Sequence, residues 1–79
     1  MYLEIITPDR KIFSGDVTSV HVPGTNGQFQ ILKNHAPIIS TLVKGTIRIK
    51  TTSGNQSINV RGGVVEVLHN KIIVLAESA

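Results

Sequence analysis

Strict alternation of apolar and polar residues is the feature of this sequence that most constrains its fold. It is clearest in residues 46–50, Thr-Ile-Arg-Ile-Lys, and in residues 57–61, Ser-Ile-Asn-Val-Arg. Successive side chains of a β-strand point to opposite faces, so a period of two predicts strands with one buried and one solvated face. The residues between them include Gly54 and Asn55, which tolerate positive φ, and the pair is therefore predicted to form a β-hairpin.

The other segments are predicted to be strands separated by short turns. A second hairpin is predicted from residues 64–68 and 72–75, with Asn70 in the left-handed region of the turn. Both of its strands are apolar on each face, which predicts either a central position in a two-layer sandwich or a cover by another surface. Shorter strands are predicted at 3–5, 12–13, 20–22 and 28–31, with breaks at Ser14-Gly15 and Pro23-Gly24.

No stretch of the sequence has the spacing of an amphipathic helix. Apolar residues do not recur at i, i+3, i+4 and i+7, and alanine and glutamate are scarce. Many short strands punctuated by Gly, Pro and Asn are typical of a sandwich or a barrel. The 79 residues are therefore predicted to form one all-β domain.

A domain of this length has a thin core, because it hides only about 60% of the surface that its unfolded chain exposes. The sequence contains 0 cysteines, so disulfides and most zinc frameworks cannot reinforce that core. Association with a partner is the remaining reinforcement. The formal charge is +3, the basic residues are dispersed, and only 4% of residues are aromatic, a pattern that argues against binding to nucleic acid.

Catalytic and metal-binding patterns are missing from the sequence. The histidines at 21, 35 and 69 stand in three unrelated contexts, none beside another ligand at metal spacing. No Gly-x-Ser-x-Gly elbow is present, and only five acidic residues are available for a paired-carboxylate mechanism. The glycine-rich segments 24–27 and 61–63 lack the Lys-Ser/Thr and the helix of a phosphate loop, and they are predicted to be a turn and a strand bend. The sequence thus predicts no enzyme activity and no cofactor.

Residues 33–43 carry more apolar side chains than one face of a short strand needs. A polar loop ends at Pro37 and is followed by Ile38, Ile39, Leu42 and Val43. Two interpretations remain open at this point. Either both faces of this strand are buried within the domain, or part of the apolar surplus forms an interaction site, as contiguous exposed apolar surface on a small domain usually does.

Five collinear segments resemble one known family. They are FSGDV at 13–17, VPGTNGQFQILKNHAPIIS at 22–40, KGTIRI at 44–49, GGVVEV at 62–67 and IIVLAESA at 72–79. Together they are similar to the N-terminal β-sandwich domain of the epsilon subunit of F-type ATP synthase, over essentially the whole chain. The resemblance implies a small two-layer β-sandwich of about ten short, mainly antiparallel strands that occupies residues 1–79.

The resemblance also implies a function and two contact surfaces. Members of this family are non-catalytic rotor subunits of the central stalk. The stalk couples proton-driven rotation of the membrane-embedded c-ring to ATP synthesis. A surface facing the gamma subunit is implied at Thr7, His35, Ile38, Ser40 and Leu42. A tip facing the polar loops of the c-ring is implied at Thr25, Asn26, Gly27 and Gln28. The implied location is peripheral, on the cytoplasmic face of a bacterial inner membrane or on its organellar equivalent, with membrane association only through the complex.

Two departures from the family pattern affect what is expected. Relatives often place an acidic residue where Gln28 stands, so a charge-based attraction to the c-ring is not expected here. Many relatives continue into a C-terminal helical hairpin that inhibits ATP hydrolysis, whereas this sequence ends at Ala79. We therefore expect residues 1–79 to lack the helical inhibitory latch. A ligand-binding β-sandwich and a small hydrolase are the competing classes; the first needs an aromatic-lined pocket and the second needs His35 beside a serine and an acid.

Overall fold

The computed structural model describes residues 1–78 as a succession of short β-strands. In chain order they are β1 (Tyr2–Ile6), β2 (Lys11–Asp16), β3 (Ser19–Gly24), β4 (Gly27–Leu32), β5 (Ile38–Leu42), β6 (Gly45–Thr51), β7 (Gly54–Val60), β8 (Gly63–Leu68) and β9 (Lys71–Ala76). Residues 1–78 contain no helix that could cross a membrane. The predicted all-β class is confirmed, with nine strands in place of about ten.

The strands form one continuous sheet in the order β2-β1-β9-β8-β5-β3-β6-β7, and β4 pairs with β3. Every pairing is antiparallel except that of β1 with β9. The link between β5 and β3 is a single residue pair, Gly24 with Leu42. This narrow junction divides the sheet into a five-stranded half, β2-β1-β9-β8-β5, and a four-stranded half, β4-β3-β6-β7.

The two halves share one hydrophobic core, so the sheet is curled on itself. The five-stranded half contributes residues such as Leu3, Ile72 and Val65, and the four-stranded half contributes residues such as Ile47 and Ile31, each with an exposed fraction of 0%. Alternate residues of each strand point into this core, as the period of two predicted. A core shared by two sheet halves agrees with a β-sandwich.

Both predicted hairpins are present, and the first has a tighter turn than expected. Thr51 pairs with Gly54, so the connection between β6 and β7 consists of residues 52–53. In the second hairpin, His69 and Asn70 both adopt positive φ, at 50° and 60°, and the prediction for Asn70 is confirmed.

Two predicted strand breaks were wrong. Strand β2 continues through Ser14-Gly15, because Gly15 pairs with Leu3 as a regular member of the ladder. Strand β3 continues through Pro23-Gly24. Pro23 lies where β3 leaves β6 and meets β5, and its carbonyl accepts a hydrogen bond from the Val43 N–H at 2.9 Å. Since the ladder changes partner there, the missing N–H of proline removes no strand hydrogen bond.

Candidate protein-interaction surface

The β3–β4 hairpin ends in a two-residue turn at Thr25 and Asn26, and the backbone there requires glycine on both sides. Gly24 pairs with Gly27 across the turn. A Cβ atom on Gly24 would lie 2.7 Å from the Gly27 carbonyl oxygen, and Gly27 has φ of 121°, a conformation that favours glycine. The four predicted tip residues, from Thr25 to Gln28, are all exposed.

Thr25 fastens this tip to the end of β5. Its N–H donates to the Thr41 carbonyl at 3.1 Å, and its hydroxyl donates to the same oxygen at 3.0 Å. The two threonine Oγ1 atoms lie 2.6 Å apart. The tip is therefore held on both halves of the sheet, and Asn26 and Gln28 are the members of the predicted set whose side chains project without such an anchor.

A shallow groove of about 430 Å³ runs between the tip and β5. It brings together three residues of the predicted c-ring tip and three residues of the predicted gamma-facing surface, namely Asn26, Gly27, Gln28, His35, Ile38 and Ser40. The two predicted surfaces are therefore neighbours along one groove, which the sequence did not indicate.

The other two predicted gamma-facing residues lie outside this groove. Leu42 is 6% exposed and belongs to the core, because it stands on the inward face of β5. Thr7 follows β1, where its hydroxyl donates to the Arg10 carbonyl at 3.1 Å. Thr7 lies at the same end of the five-stranded half as Leu42. Strands β9 and β8 separate β1 from β5, so the two residues are about 14 Å apart across the sheet.

The loop that carries His35 is held in place by a pair of asparagines. The Asn34 N–H donates to Asn70 Oδ1 at 2.7 Å, and Asn70 Nδ2 donates to Asn34 Oδ1 at 3.1 Å. The His35 N–H donates to the Leu32 carbonyl at 3.1 Å, and its ring Nδ1 lies 2.8 Å from the Ala36 carbonyl oxygen. The ring thus bonds to its own loop, not to a serine and an acid.

The outward side of β5, β8 and β9 carries a group of exposed and half-buried apolar side chains around Glu66, which we call the apolar outer face. Ile39 is 73% exposed, and Glu66 stands between it and Ile73 in the cross-strand row. The next row places Val64 beside Leu75, which is 54% exposed. The complete set is Ile39, Val64, Leu68, Ile73 and Leu75. Several exposed apolar side chains grouped on one side of a small domain are typical of a protein-interaction site.

Charge divides the domain into two regions. All five acidic residues of the sequence lie on or directly beside the five-stranded half: Glu4, Asp9, Asp16, Glu66 and Glu77. Five of the eight lysines and arginines lie on or directly beside the four-stranded half: Lys33, Lys44, Arg48, Lys50 and Arg61. The charged side chains of the four-stranded half are therefore all cationic.

One ion pair joins β1 to β2 at the sheet edge. Lys11 Nζ lies 2.7 Å from Glu4 Oε2. The hydrogen bond from Lys11 lowers the pKa of the Glu4 carboxyl, and the charges of Lys11 and Lys71 lower it further against the opposing effect of burial. The same hydrogen bond raises the pKa of the Lys11 ammonium. Within residues 1–78, no three His, Asp or Glu side chains are grouped closely enough to hold a metal ion.

The sequence indicated an apolar surplus near β5 but did not identify its exposed members. Of the four apolar residues singled out there, Ile38 packs against the core and Leu42 belongs to it, whereas Ile39 and Val43 are exposed. The partners of Ile39 on β8 and β9 were missed, because a strand that is apolar on both faces does not reveal which face is outward. The strand register provides that information.

Comparison with known proteins gives a consistent result. The family model described as "ATP synthase, Delta/Epsilon chain, beta-sandwich domain" matches residues 1–79. The ATP synthase epsilon chain of Pelotomaculum thermopropionicum is 47% identical over 77 residues, which are 98% of this chain and 58% of that one. The epsilon chain of Chlorobium limicola is 45% identical over 76 residues, which are 95% of this chain and 86% of that one.

Two solved structures share the fold. A chain in the cryo-EM structure of the Euglena gracilis mitochondrial ATP synthase, OSCP/F1/c-ring, superposes with a TM-score of 0.90 at 16% identity, covering 96% of this chain and 49% of that one. A chain in the Tetrahymena thermophila mitochondrial ATP synthase central stalk/c-ring structure gives a TM-score of 0.83 at 17% identity. The family match over all 79 residues and the close bacterial relatives show that the chain belongs to the β-sandwich domain family of ATP synthase delta and epsilon chains.

Proposed function

We propose that this chain is a non-catalytic rotor subunit in the central stalk of an F-type ATP synthase. In this role it holds the gamma subunit and the c-ring together, so that proton-driven rotation of the ring is transmitted to the catalytic head. Family membership supports the assignment, and the observation that carries it to this domain is the apolar outer face beside the groove. A surface of this kind serves binding, not bond chemistry.

The proposed gamma contact combines the groove with the apolar outer face. His35, Ile38 and Ser40 line the groove. Ile39 points to the opposite side of the same strand and is the most exposed large hydrophobic residue among residues 1–78. Leu42 supports this surface from within the core. Thr7 lies beyond β9 and β8, so a partner that contacts both Thr7 and β5 spans about 14 Å of the five-stranded half.

The proposed c-ring contact is the hairpin tip. Gly27 gives the turn its backbone conformation, Thr25 ties it to Thr41, and Asn26 and Gln28 present amide groups to solvent. Amides both donate and accept hydrogen bonds, so they suit the polar loops of a partner without requiring a charge. Anchoring the tip on β5 gives a direct mechanical path from the c-ring contact to the gamma contact.

The complex determines the proposed location. A subunit held between gamma and the c-ring is peripheral to the membrane, on the cytoplasmic face of a bacterial inner membrane or its organellar equivalent, without inserting into the bilayer itself.

Replacing Ile39 with aspartate tests the proposed gamma contact. Ile39 is 73% exposed, so Ile39→Asp leaves the isolated domain folded, with a free energy of unfolding within about 0.5 kcal/mol of the original. Placing a charge in an apolar interface weakens binding to purified gamma subunit by at least about tenfold, measured by calorimetric titration.

Leu32→Asp is the matched control, because Leu32 is a large exposed apolar residue, 51% accessible, on the four-stranded half. It introduces the same charge and leaves gamma binding unchanged. If both variants bind gamma as the original does, the proposed contact surface is wrong. If Leu32→Asp alone loses binding, the gamma subunit binds the other half of the sheet.

A further inference from the structure

The strand β7 forms one end of the sheet and offers a free backbone edge. In residues 1–78 it pairs with β6 alone, through seven consecutive residue pairs without a bulge. The Lys50 carbonyl accepts a hydrogen bond from the Thr18 N–H at 2.7 Å and so points away from β7. Since Lys50 stands opposite Asn55, the alternation of an antiparallel ladder directs the N–H and C=O groups of Asn55, Ser57 and Asn59 outward.

This edge lacks the features that usually prevent strand addition. Natural edge strands carry charges, prolines or bulges, whereas β7 reads Gly-Asn-Gln-Ser-Ile-Asn-Val. The edge strand β2 carries Lys11 and Asp16, and its pairing with β1 is interrupted by a bulge. The edge of β4 is shortened where the Leu32 carbonyl accepts the His35 N–H. Of the described strands, β7 therefore presents the longest unprotected edge.

The charges beside β7 select the kind of strand that fits there. Arg48 stands opposite Ser57 and Lys50 stands opposite Asn55, on the outward side of β6. Ser57 is small, so the long side chain of Arg48 can pass over it towards a strand added beyond β7. The acidic residues of the chain all belong to the other half of the sheet, so nothing on this face neutralises these cations.

We propose that β7 accepts an extended acidic segment of a partner protein as an additional antiparallel strand. The added backbone pairs with Asn55, Ser57 and Asn59, and its outward acidic side chains face Arg48 and Lys50. A second copy of this chain fits the backbone edge equally well, but it would bring two cationic faces together. Charge complementarity therefore favours the acidic segment. The site lies on the four-stranded half, away from the apolar outer face on β5, β8 and β9, and it does not depend on the proposed gamma contact.

The test uses the ¹⁵N-labelled chain and a capped synthetic peptide, Thr-Val-Glu-Val-Glu-Val-Thr, followed by NMR. We expect shifts and slowed hydrogen exchange at the amides of Asn55, Ser57 and Asn59. A peptide with lysine in place of glutamate binds at least about tenfold more weakly, because like charges then face each other. Arg48→Ala weakens binding of the acidic peptide about threefold, whereas Lys33→Ala, which removes the same charge from the β4–β5 loop, leaves it unchanged.

Ser57→Pro tests the backbone edge of β7 without changing the charges beside it. Its N–H points outward, so proline there removes an edge donor without breaking the β6–β7 ladder, and the thermal unfolding midpoint serves as the check on folding. We expect this variant to stay folded and lose peptide binding. If Ser57→Pro unfolds the domain, Asn59→Glu replaces it, because a negative charge beside the outward backbone repels the glutamates of the acidic peptide and should abolish its binding.

Three results would overturn the proposal. One is equal binding of the glutamate and lysine peptides. Another is a shift pattern centred on the apolar outer face instead of β7. The third is a concentration-dependent dimer in sedimentation analysis that Ser57→Pro abolishes, which would assign the edge to a second copy of this chain.

Discussion

The five-stranded and four-stranded halves bury the same kind of residue and expose very different ones. Both contribute fully buried branched side chains to one core, such as Ile72 from one half and Ile47 from the other. The five-stranded half exposes the apolar outer face and all the acidic residues. The four-stranded half exposes Arg48, Lys50, neutral polar side chains and Leu32. A thin core can therefore support two outward surfaces of different chemistry, because alternate side chains of each strand point away from the core.

Few backbone pairings join the two halves, but many of their buried side chains pack together. One residue pair joins β5 to β3, yet the buried cluster includes residues from both sides of it. We infer that the domain unfolds as one unit, because neither half can bury its inner face alone.

Shortening one core side chain in each half gives the largest expected effect. Ile5 and Ile47 are both 0% exposed, one in the five-stranded half and one in the four-stranded half. Ile5→Ala and Ile47→Ala should each lower the free energy of unfolding by about 2–5 kcal/mol through lost burial and a residual cavity. Chemical denaturation monitored at both halves by NMR should give coincident transitions. Separate transitions would show that the halves are independent units.

Adding a methyl group at the junction should have the next largest effect. A Cβ on Gly24 would meet the Gly27 carbonyl oxygen at 2.7 Å and a Phe29 ring carbon at 2.8 Å, so Gly24→Ala should cost about 1–3 kcal/mol. Gly15→Ala is the control, because its nearest neighbour is at an ordinary 3.9 Å. Thermal unfolding of the two variants distinguishes a steric clash at the junction from a general intolerance of alanine in strands. If both variants are destabilised equally, the clash at Gly24 is not the cause.

Removing the hydroxyl of Thr25 tests the bond that crosses the junction. Thr25→Val loses the hydrogen bond to the Thr41 carbonyl and should reduce stability by about 1 kcal/mol. Thr25→Ser keeps the hydroxyl and should restore most of that loss. If valine and serine variants unfold at the same denaturant concentration, the hydroxyl does not hold the tip to β5.

The smallest expected effect concerns the ion pair at the edge of the five-stranded half. The pKa of Glu4 is lowered from 4.5, so its contribution to stability is present above that unfolded value and is lost as the pH falls through the folded one. The pKa of Lys11 is raised from 10.5, so its contribution is present below that value and is lost as the pH rises through the folded one.

Glu4→Gln should therefore lower the unfolding midpoint slightly at neutral pH and not at strongly acidic pH. Salt should reduce the difference, because an exposed pair is screened. Scans of both proteins at two pH values measure it. A difference of equal size at neutral and acidic pH would contradict an electrostatic origin.

The period of two in segments such as 46–50 predicted the strands, because the apolar residues of an alternating segment are the ones that can be buried on one face of a sheet. The five family-like segments predicted the family that the comparisons show. Turn glycines and Asn70 were also predictable, because positive φ restricts the choice of residue. Strand ends at Gly15 and Pro23 were not, since the ladder at those positions depends on distant partners.

The tertiary structure alone decided which face of each strand is outward and which distant residues are neighbours. Ile38 and Ile39 are equivalent in the sequence, but register puts one against the core and leaves the other 73% exposed. Two further features arise only when strands far apart in the chain pair. They are the groove that joins the hairpin tip to His35 and the confinement of the acidic residues to the five-stranded half. The local sequence pattern specifies which side chains of a strand are apolar and which are polar. The order and register of the strands specify which of those side chains are buried and which residues they contact.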